Sequence, residues 1–177
     1  MLMQASEEKD KQSLTQLCRD VLEKNQRGEF TIPAEGLYPH QWLWDSCFTA
    51  IGLRHVDIEK AQQELRSLIR GQWSNGMLPH MIFNDNHQSF AKDSNIWRSK
   101  RNPYAPDDIA TSGITQPPVL AEAVVQVGQK MTLRERRGWY QDMYPAIVRY
   151  HEWLYAERDP HGDGLVVLLH PWESGLD

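Results

Sequence analysis

Apolar residues recur with helical spacing along most of the chain. Leu14, Leu17, Cys18, Val21 and Leu22 stand at i, i+3, i+4, i+7 and i+8, one stripe of an amphipathic helix. Ser6, followed by Glu7 and Glu8, predicts its start, and the pattern runs to about Asn25 and closes near Gly28. Residues 30–40 carry two prolines and predict a non-helical link. A second helix is predicted from about Gln41 to Val56. It is apolar on nearly every side, through Trp42, Leu43, Trp44, Cys47, Phe48, Ala50, Ile51 and Leu53, so it needs cover all round. Asp57 predicts the cap of a third helix, with Ala61, Leu65, Leu68 and Ile69 on one stripe. Residues 73–83 break the period, and residues 84–114 are polar and irregular, a length of aperiodic chain that is commonly functional.

A fourth helix follows Pro117 and Pro118, with Leu120, Ala123, Val124 and Val127 in phase. Thr132 and Glu135 have capping-box spacing and predict a fifth, with Trp139, Tyr140, Met143, Ile147, Tyr150 and Leu154 on its apolar face. Pro145 predicts a kink or a restart within it. DPHGDG at 159–164 predicts a turn, and LVVLLHP after it one short strand. The succession of long helices predicts an all-α chain of antiparallel helical hairpins. Five or six helices give the all-apolar second one too few neighbours, and the sequence stops at HPWESGLD directly after an apolar run. Both features predict that residues 1–177 are the N-terminal portion of a single larger domain.

Composition removes several classes. Aromatic residues at 10% and a net charge of −5 exclude a disordered chain. Two cysteines are too few for a disulfide scaffold and fit a reducing compartment; Cys18 and Cys47, both on apolar stripes, read as core. The opening MLMQASEEKDKQ turns polar at once, unlike a secretory leader, so a cytoplasmic location is expected. No stretch approaches the ~20 apolar residues of a membrane helix, so no membrane partner is expected. A pI near 5.8 speaks against nucleic acid. No HExxH or i,i+4 histidine pair, GxGxxG, P-loop or GxSxG pattern occurs, so no metal and no cofactor is expected. Asp159, His161, Asp163 and Gly164 only faintly match a calcium loop, because His170 stands where its glutamate belongs. Arg98, Lys100 and Arg101 read as a solvated loop or as a contact to an anionic group. Seven tryptophans suit either a thick aromatic core or a sugar-binding cleft.

Three short segments could carry chemistry. In YPHQWLWDS (38–46), a helix would put Trp42, Asp45 and Thr49 on one face, an acid beside an indole. Asp45 then needs donors, which sugar hydroxyls could supply while the indole stacks on the ring; the alternative is a structural acid paired to Arg54 or His40. In HPWESGLD (170–177), Trp172, Glu173 and Asp177 set two acids beside an aromatic, the groups that glycosidic cleavage uses, one to protonate the leaving oxygen and one to activate water or attack. The alternative is an acid capping a helix. In SGITQPPV (112–119), the Gln116 amide offers two donors and an acceptor suited to vicinal hydroxyls, or it is simply a helix-entry residue.

Taken in order, YPHQWLWDSCF, NGMLPHMIF, SGITQPPV and HPWESGLD resemble the glycoside hydrolase family 63-like enzymes, and within them the bacterial mannosylglycerate and glucosylglycerate hydrolases. The resemblance spans about residues 30–177. It implies an (α/α)6 barrel with a sugar pocket at one end and hydrolysis of an α-glycosidic bond with inversion. By the same matching, Asp177 of the WESG-x-D motif is implied as general acid and Asp45 of W-x-WD as the grip on the sugar hydroxyls. Tyr38, Gln41, Trp42, Trp44, Gln116 and Trp172 are implied to line the glycone pocket, with Glu173 an orienter inside its loop. The family's catalytic base, a glutamate far downstream, has no counterpart among these residues, so they are expected to be either a fragment of an enzyme or a truncated product without turnover. A small carbohydrate is therefore the expected partner, and association into homo-oligomers is left open. A reading from another class is a non-catalytic helical sugar-binding scaffold using the same residues. A third, an epimerase on the same toroid, would call on His40, His80 and His170.

Overall fold

A computed structural model describes residues 2–84 and 94–176, and the side chains of residues 13–84 and 96–176. Six α-helices dominate the described residues: α1 (Leu2–Asn25), α2 (Leu43–Leu53), α3 (Ile58–Arg70), α4 (Ser94–Trp97), α5 (Leu120–Gly128) and α6 (Leu133–Arg158). Four two-residue strands form two antiparallel pairs: β1 (Gln26–Arg27) with β2 (Phe30–Thr31), and β3 (Gln41–Trp42) with β4 (Met81–Ile82).

The core lies between α2, α3, α5 and α6. Leu43, Cys47, Ala50 and Leu53 of α2 meet Ala61, Leu65 and Leu68 of α3, Leu120, Ala123, Val124 and Val127 of α5, and Trp139, Met143, Tyr150, Trp153 and Leu154 of α6. The caps act as the sequence predicts. Asp57 Oδ1 accepts from the backbone N–H groups of Glu59 and Lys60, both at 3.0 Å. Thr132 and Glu135 close the reciprocal capping box of α6.

Four expectations are corrected. The helix of α1 is already formed at Leu2, before Ser6, and most of its stripe faces outward: Leu14, Leu17 and Val21 are 62%, 59% and 58% exposed, and Cys18 is exposed too. Only Leu22 of the stripe reaches the core. Second, α2 begins at Leu43 rather than Gln41, because Gln41 and Trp42 pair with Ile82 and Met81 and the Leu43 N–H bonds to the His80 carbonyl at 3.0 Å. Third, α6 does not restart at Pro145 but continues through it as one helix. Pro145 and Gln141, whose carbonyl loses its donor, are both exposed, so that carbonyl is open to solvent while the buried stripes on either side hold the helix. Fourth, residues 165–169 form no strand; Leu165, Leu168 and Leu169 are exposed.

The irregular middle of the chain has its own order. Ser112 N–H bonds to the Met81 carbonyl, Phe83 N–H to Ala110 and His80 N–H to Ile114 (3.0, 2.9 and 2.7 Å). Residues 110–114 thus extend the β3–β4 ribbon by a third backbone segment. This ribbon, edge-on to the N-terminus of α2, brings together three sequence motifs that are far apart in the chain. Arg98, Lys100 and Arg101 are exposed, which matches the solvated reading of that cluster.

Candidate functional site

A cup of about 160 Å³ opens where the ribbon meets α2, lined by Pro33, Tyr38, Trp42, Trp44, Asp45, Gln116 and Gly175. It is several times the ~30 Å³ share of one water molecule. Trp42 leaves β3 as the residue that caps α2, and it lines the cup together with Asp45 of the first turn. It is held edge-on by Tyr38 (ring centroids 5.4 Å apart) and stacked on His40 (5.6 Å, 27°). His40 Nδ1 in turn accepts from the Asn84 N–H at 3.1 Å. Trp44 and Asp45 follow in the first turn of α2, both half-buried. Asp45 has interaction partners of its own within the fold. Arg54, at the other end of the helix, donates to Gln126.

Gln116 closes the far wall. Its segment is fixed by Tyr150, whose hydroxyl donates to the Gln116 carbonyl at 2.9 Å and bonds the Thr115 hydroxyl at 2.6 Å. Gln116 Oε1 accepts from the Trp44 N–H at 3.4 Å. Its Nε2 is buried with no hydrogen-bond partner among the described residues, in a side chain only 1% exposed. A buried amide donor without a partner costs about 1–3 kcal/mol. It is the kind of group a ligand hydroxyl would satisfy.

The HPWESGL segment completes the cup. His170 Nδ1 caps a 3₁₀ turn over Pro171–Ser174, and the turn ends at Gly175 with φ +75°. A β-carbon at Gly175 would lie 3.0 Å from the Trp44 indole, so only glycine allows both this backbone conformation and this approach. The turn is anchored from behind by Glu173. Its carboxylate accepts from the Leu169 N–H (2.8 Å), the Thr115 N–H (3.5 Å) and the Arg158 guanidinium (3.0 Å). Burial pushes its pKa up, but the Leu169 bond and Arg158's bond and charge outweigh that and hold it below the ordinary carboxylate value. Arg158 also lies over the Trp153 ring at 4.6 Å.

The candidate residues therefore separate. Tyr38, Trp42, Trp44, Asp45 and Gln116 share the cup. Gln41 does not enter it: its amide is occupied by Ser46, Glu64 and Ser67 between α2 and α3. Glu173 is likewise outside the cup, as an orienter of its loop. Trp172 joins a separate aromatic cluster with His80, Trp97 and His170, at centroid distances of 5.4–6.1 Å. Asp177 lies outside the described residues. Sequence reasoning missed Pro33 and Gly175 in the cup wall and Trp97 in the aromatic cluster. Gly175 had a readable signal, a glycine closing a short turn; Trp97, in an aperiodic polar stretch, had none.

His80 is buried and its Nδ1 bonds the Ser112 hydroxyl at 2.6 Å. Burial and the neighbouring His170 push its pKa down to about 3 against the pull of Glu173, so it is neutral at physiological pH. That suits a packed support better than an epimerase base. Among the described residues, no group of three or more His, Cys, Asp or Glu side chains is placed to hold a metal ion, and no helix is long and apolar enough to cross a membrane.

A sequence profile of the mannosylglycerate hydrolase MGH1-like glycoside hydrolase domain matches residues 38–177. The chain is 48% identical over 160 residues to a mannosylglycerate hydrolase of Thermus thermophilus, a match covering 89% of this chain and 38% of that protein. It is 37% identical over 164 residues to a glucosylglycerate hydrolase of Mycolicibacterium hassiacum, covering 89% and 37%. The crystal structure of a GH63 mannosylglycerate hydrolase from Thermus thermophilus in complex with Tris and D-glycerate superposes with a TM-score of 0.82 at 44% identity, covering 93% of this chain and 38% of that one. The chain thus spans less than two-fifths of the length of these relatives.

Proposed function

Because the chain belongs to the MGH1-like glycoside hydrolase family, we propose that it forms the N-terminal portion of one (α/α)6 glycosidase domain whose cup holds the glycone of a small α-glycoside. The substrate is of the mannosylglycerate or glucosylglycerate type, in keeping with the relatives' names. The observation that carries this reading is the cup itself: two indoles, a tyrosine, a carboxylate and an unpartnered buried amide donor around one small cavity. Aromatic faces suit the apolar faces of a sugar ring, while Asp45 and Gln116 suit its hydroxyls as acceptor and donor.

In the proposed mechanism Asp177 gives its proton to the glycosidic oxygen as the bond from that oxygen to the anomeric carbon breaks. A water molecule attacks the anomeric carbon from the opposite face and loses its proton to a glutamate base outside residues 1–177. An inverting pair holds its carboxyls roughly 6.5–9.5 Å apart, and Glu173, bound to Arg158 behind the turn, is not that base. The turn bearing Gly175, two residues before Asp177, already forms part of the cup wall, which supports the assignment. The reaction takes place in the cytoplasm.

The test is a hydrolysis assay of the full-length protein on α-mannosylglycerate and α-glucosylglycerate. Asp177→Asn should lower kcat by about 10²–10⁴-fold with KM near the wild-type value, since general acid help is of that order. Asp45→Ala should act chiefly on KM. Failure to cleave either glycoside, or an Asp177→Asn enzyme with unchanged kcat, overturns the reading.

A further inference from the structure

Outside the lining of the cup, a carboxylate is buried between α2 and α3. Glu64 is 2% exposed, yet it forms no ion pair among the described residues. Its Oε1 accepts from the Ser46 hydroxyl at 2.5 Å and from Gln41 Nε2 at 3.4 Å, and its carbonyl takes the same amide at 3.2 Å. Thr31, at the end of β2, donates to it through side chain and backbone. The remaining end of the Gln41 amide, Oε1, accepts from Ser67 at 3.0 Å, and Gln41 Nε2 also reaches Ser46 at 3.1 Å. Every polar group in this nest is thus satisfied by another member of it.

The two residues that Glu64 grips are not arbitrary. Gln41 immediately precedes Trp42, and Ser46 immediately follows Asp45. Between them the backbone changes from strand to helix, with Trp42 as a cap that has no side-chain cap bond of its own. The direction in which Trp42, Trp44 and Asp45 leave this bend depends on where its two ends are tied, and both are tied to Glu64, Ser46 by its carboxylate and Gln41 by its carboxylate and its backbone carbonyl. A pair of apolar residues would fill the same space at less desolvation cost, so packing alone does not account for an acid here.

We propose that Glu64 is a positioning residue for glycone binding: it clamps Gln41 and Ser46, and through them sets the orientation of Trp42 and Asp45 in the cup. The inference rests on the glycosidase reading given above. Glu64 touches no substrate, and its effect passes entirely through the strand-to-helix bend. Burial raises its pKa to about 7 against the bonds from Ser46, Thr31 and Gln41, which is consistent with a carboxyl held for its hydrogen bonds more than for its charge.

The experiment uses the full-length protein and three variants. Glu64→Ala removes the carboxylate's bonds to Ser46 and Gln41 and keeps only the backbone carbonyl's bond to Gln41. Glu64→Gln keeps an oxygen for Ser46 and Gln41. Leu68→Ala, one helical turn along α3 and fully buried, weakens the same helix without touching the nest. Misplacement of binding groups by about 1 Å can cost on the order of 10²-fold, so Glu64→Ala should lower kcat/KM about 10- to 100-fold, carried by KM, at temperatures where the variant is folded. Glu64→Gln should restore KM to near wild type, and Leu68→Ala should leave KM unchanged. A folded Glu64→Ala enzyme with wild-type KM, or a Leu68→Ala enzyme with the same rise in KM, overturns the proposal. Amide exchange at Leu43–Cys47 provides a readout without substrate. It should accelerate in Glu64→Ala beyond Leu68→Ala, and equal exchange in the two overturns the proposal. Failure of the wild type to cleave the glycosides would count against the glycosidase reading, while this exchange comparison would still decide the clamp.

Discussion

Gln116 shows how a side chain can be unfavourable for the fold and useful for the site. Its buried Nε2 lacks a partner among the described residues, a cost that disappears when a sugar hydroxyl accepts from it. Gln116→Leu should therefore leave the melting temperature unchanged or raise it, while KM for the glycoside rises about tenfold, the worth of one good hydrogen bond. Differential scanning calorimetry and steady-state kinetics on the same preparation check both halves. Glu173 shows the opposite case. It is buried and fully engaged, and its partner Arg158 is mostly enclosed. Arg158→Met should destabilise the fold by about 3–5 kcal/mol in urea unfolding, because it strands a buried carboxylate. With its pKa held below 4.5, Glu173 supplies stability that is present above that pH and is lost as pH falls through its lower folded value. The resemblance implied an orienter inside its own loop, but the residues alone did not show its partners, because they come from residues 115, 158 and 169.

At the scale of elements, local signals were reliable wherever the stabilising contacts are local. The Asp57 cap and the Thr132–Glu135 box form within one helical turn, and both are present. The start of α2 was misplaced by two residues because β4, some 40 residues later, claims Gln41 and Trp42 for a ladder. The α2–α3 junction also makes a prediction about pH. Glu64, raised to about 7 from its ordinary 4.5, favours the fold below 4.5 and loses that contribution as pH rises towards 7. His80, lowered to about 3 from 6.5, favours the fold above 6.5 and loses its contribution as pH falls towards 3. Their slopes oppose between pH 4.5 and 6.5 and largely cancel in the wild type. Glu64→Gln removes one of them, so its melting temperature should climb with pH across that interval and exceed the wild type's at pH 7. Thermal melts from pH 4.5 to 7 check this.

For the molecule as a whole, the four-helix core is well covered, whereas several apolar surfaces of the described residues are not, and two of them are formed by leucine-rich segments. One is the α1 stripe of Leu14, Leu17 and Val21; the other is Leu165, Leu168 and Leu169 after α6. Contiguous exposed apolar surface of this kind binds hydrophobic dyes and promotes association. The triple variant Leu14→Glu, Leu17→Glu, Val21→Lys should keep the melting temperature of residues 1–177 within a few degrees, since these side chains do not reach the core, while reducing ANS fluorescence.

Periodicity, caps and turn residues sufficed to establish from the sequence alone that the chain is helical, where most of its helices lie, and which short motifs carry aromatic and acidic groups. Those properties are set by neighbours three or four residues away. The meeting of Trp42, Asp45, Gln116 and Gly175 around one cavity, the diversion of Gln41 to Glu64 and the tying of Glu173 to Arg158 were decided only in three dimensions. Each depends on pairing between segments tens of residues apart, where chain connectivity imposes no register and only the packed ribbon and helices do.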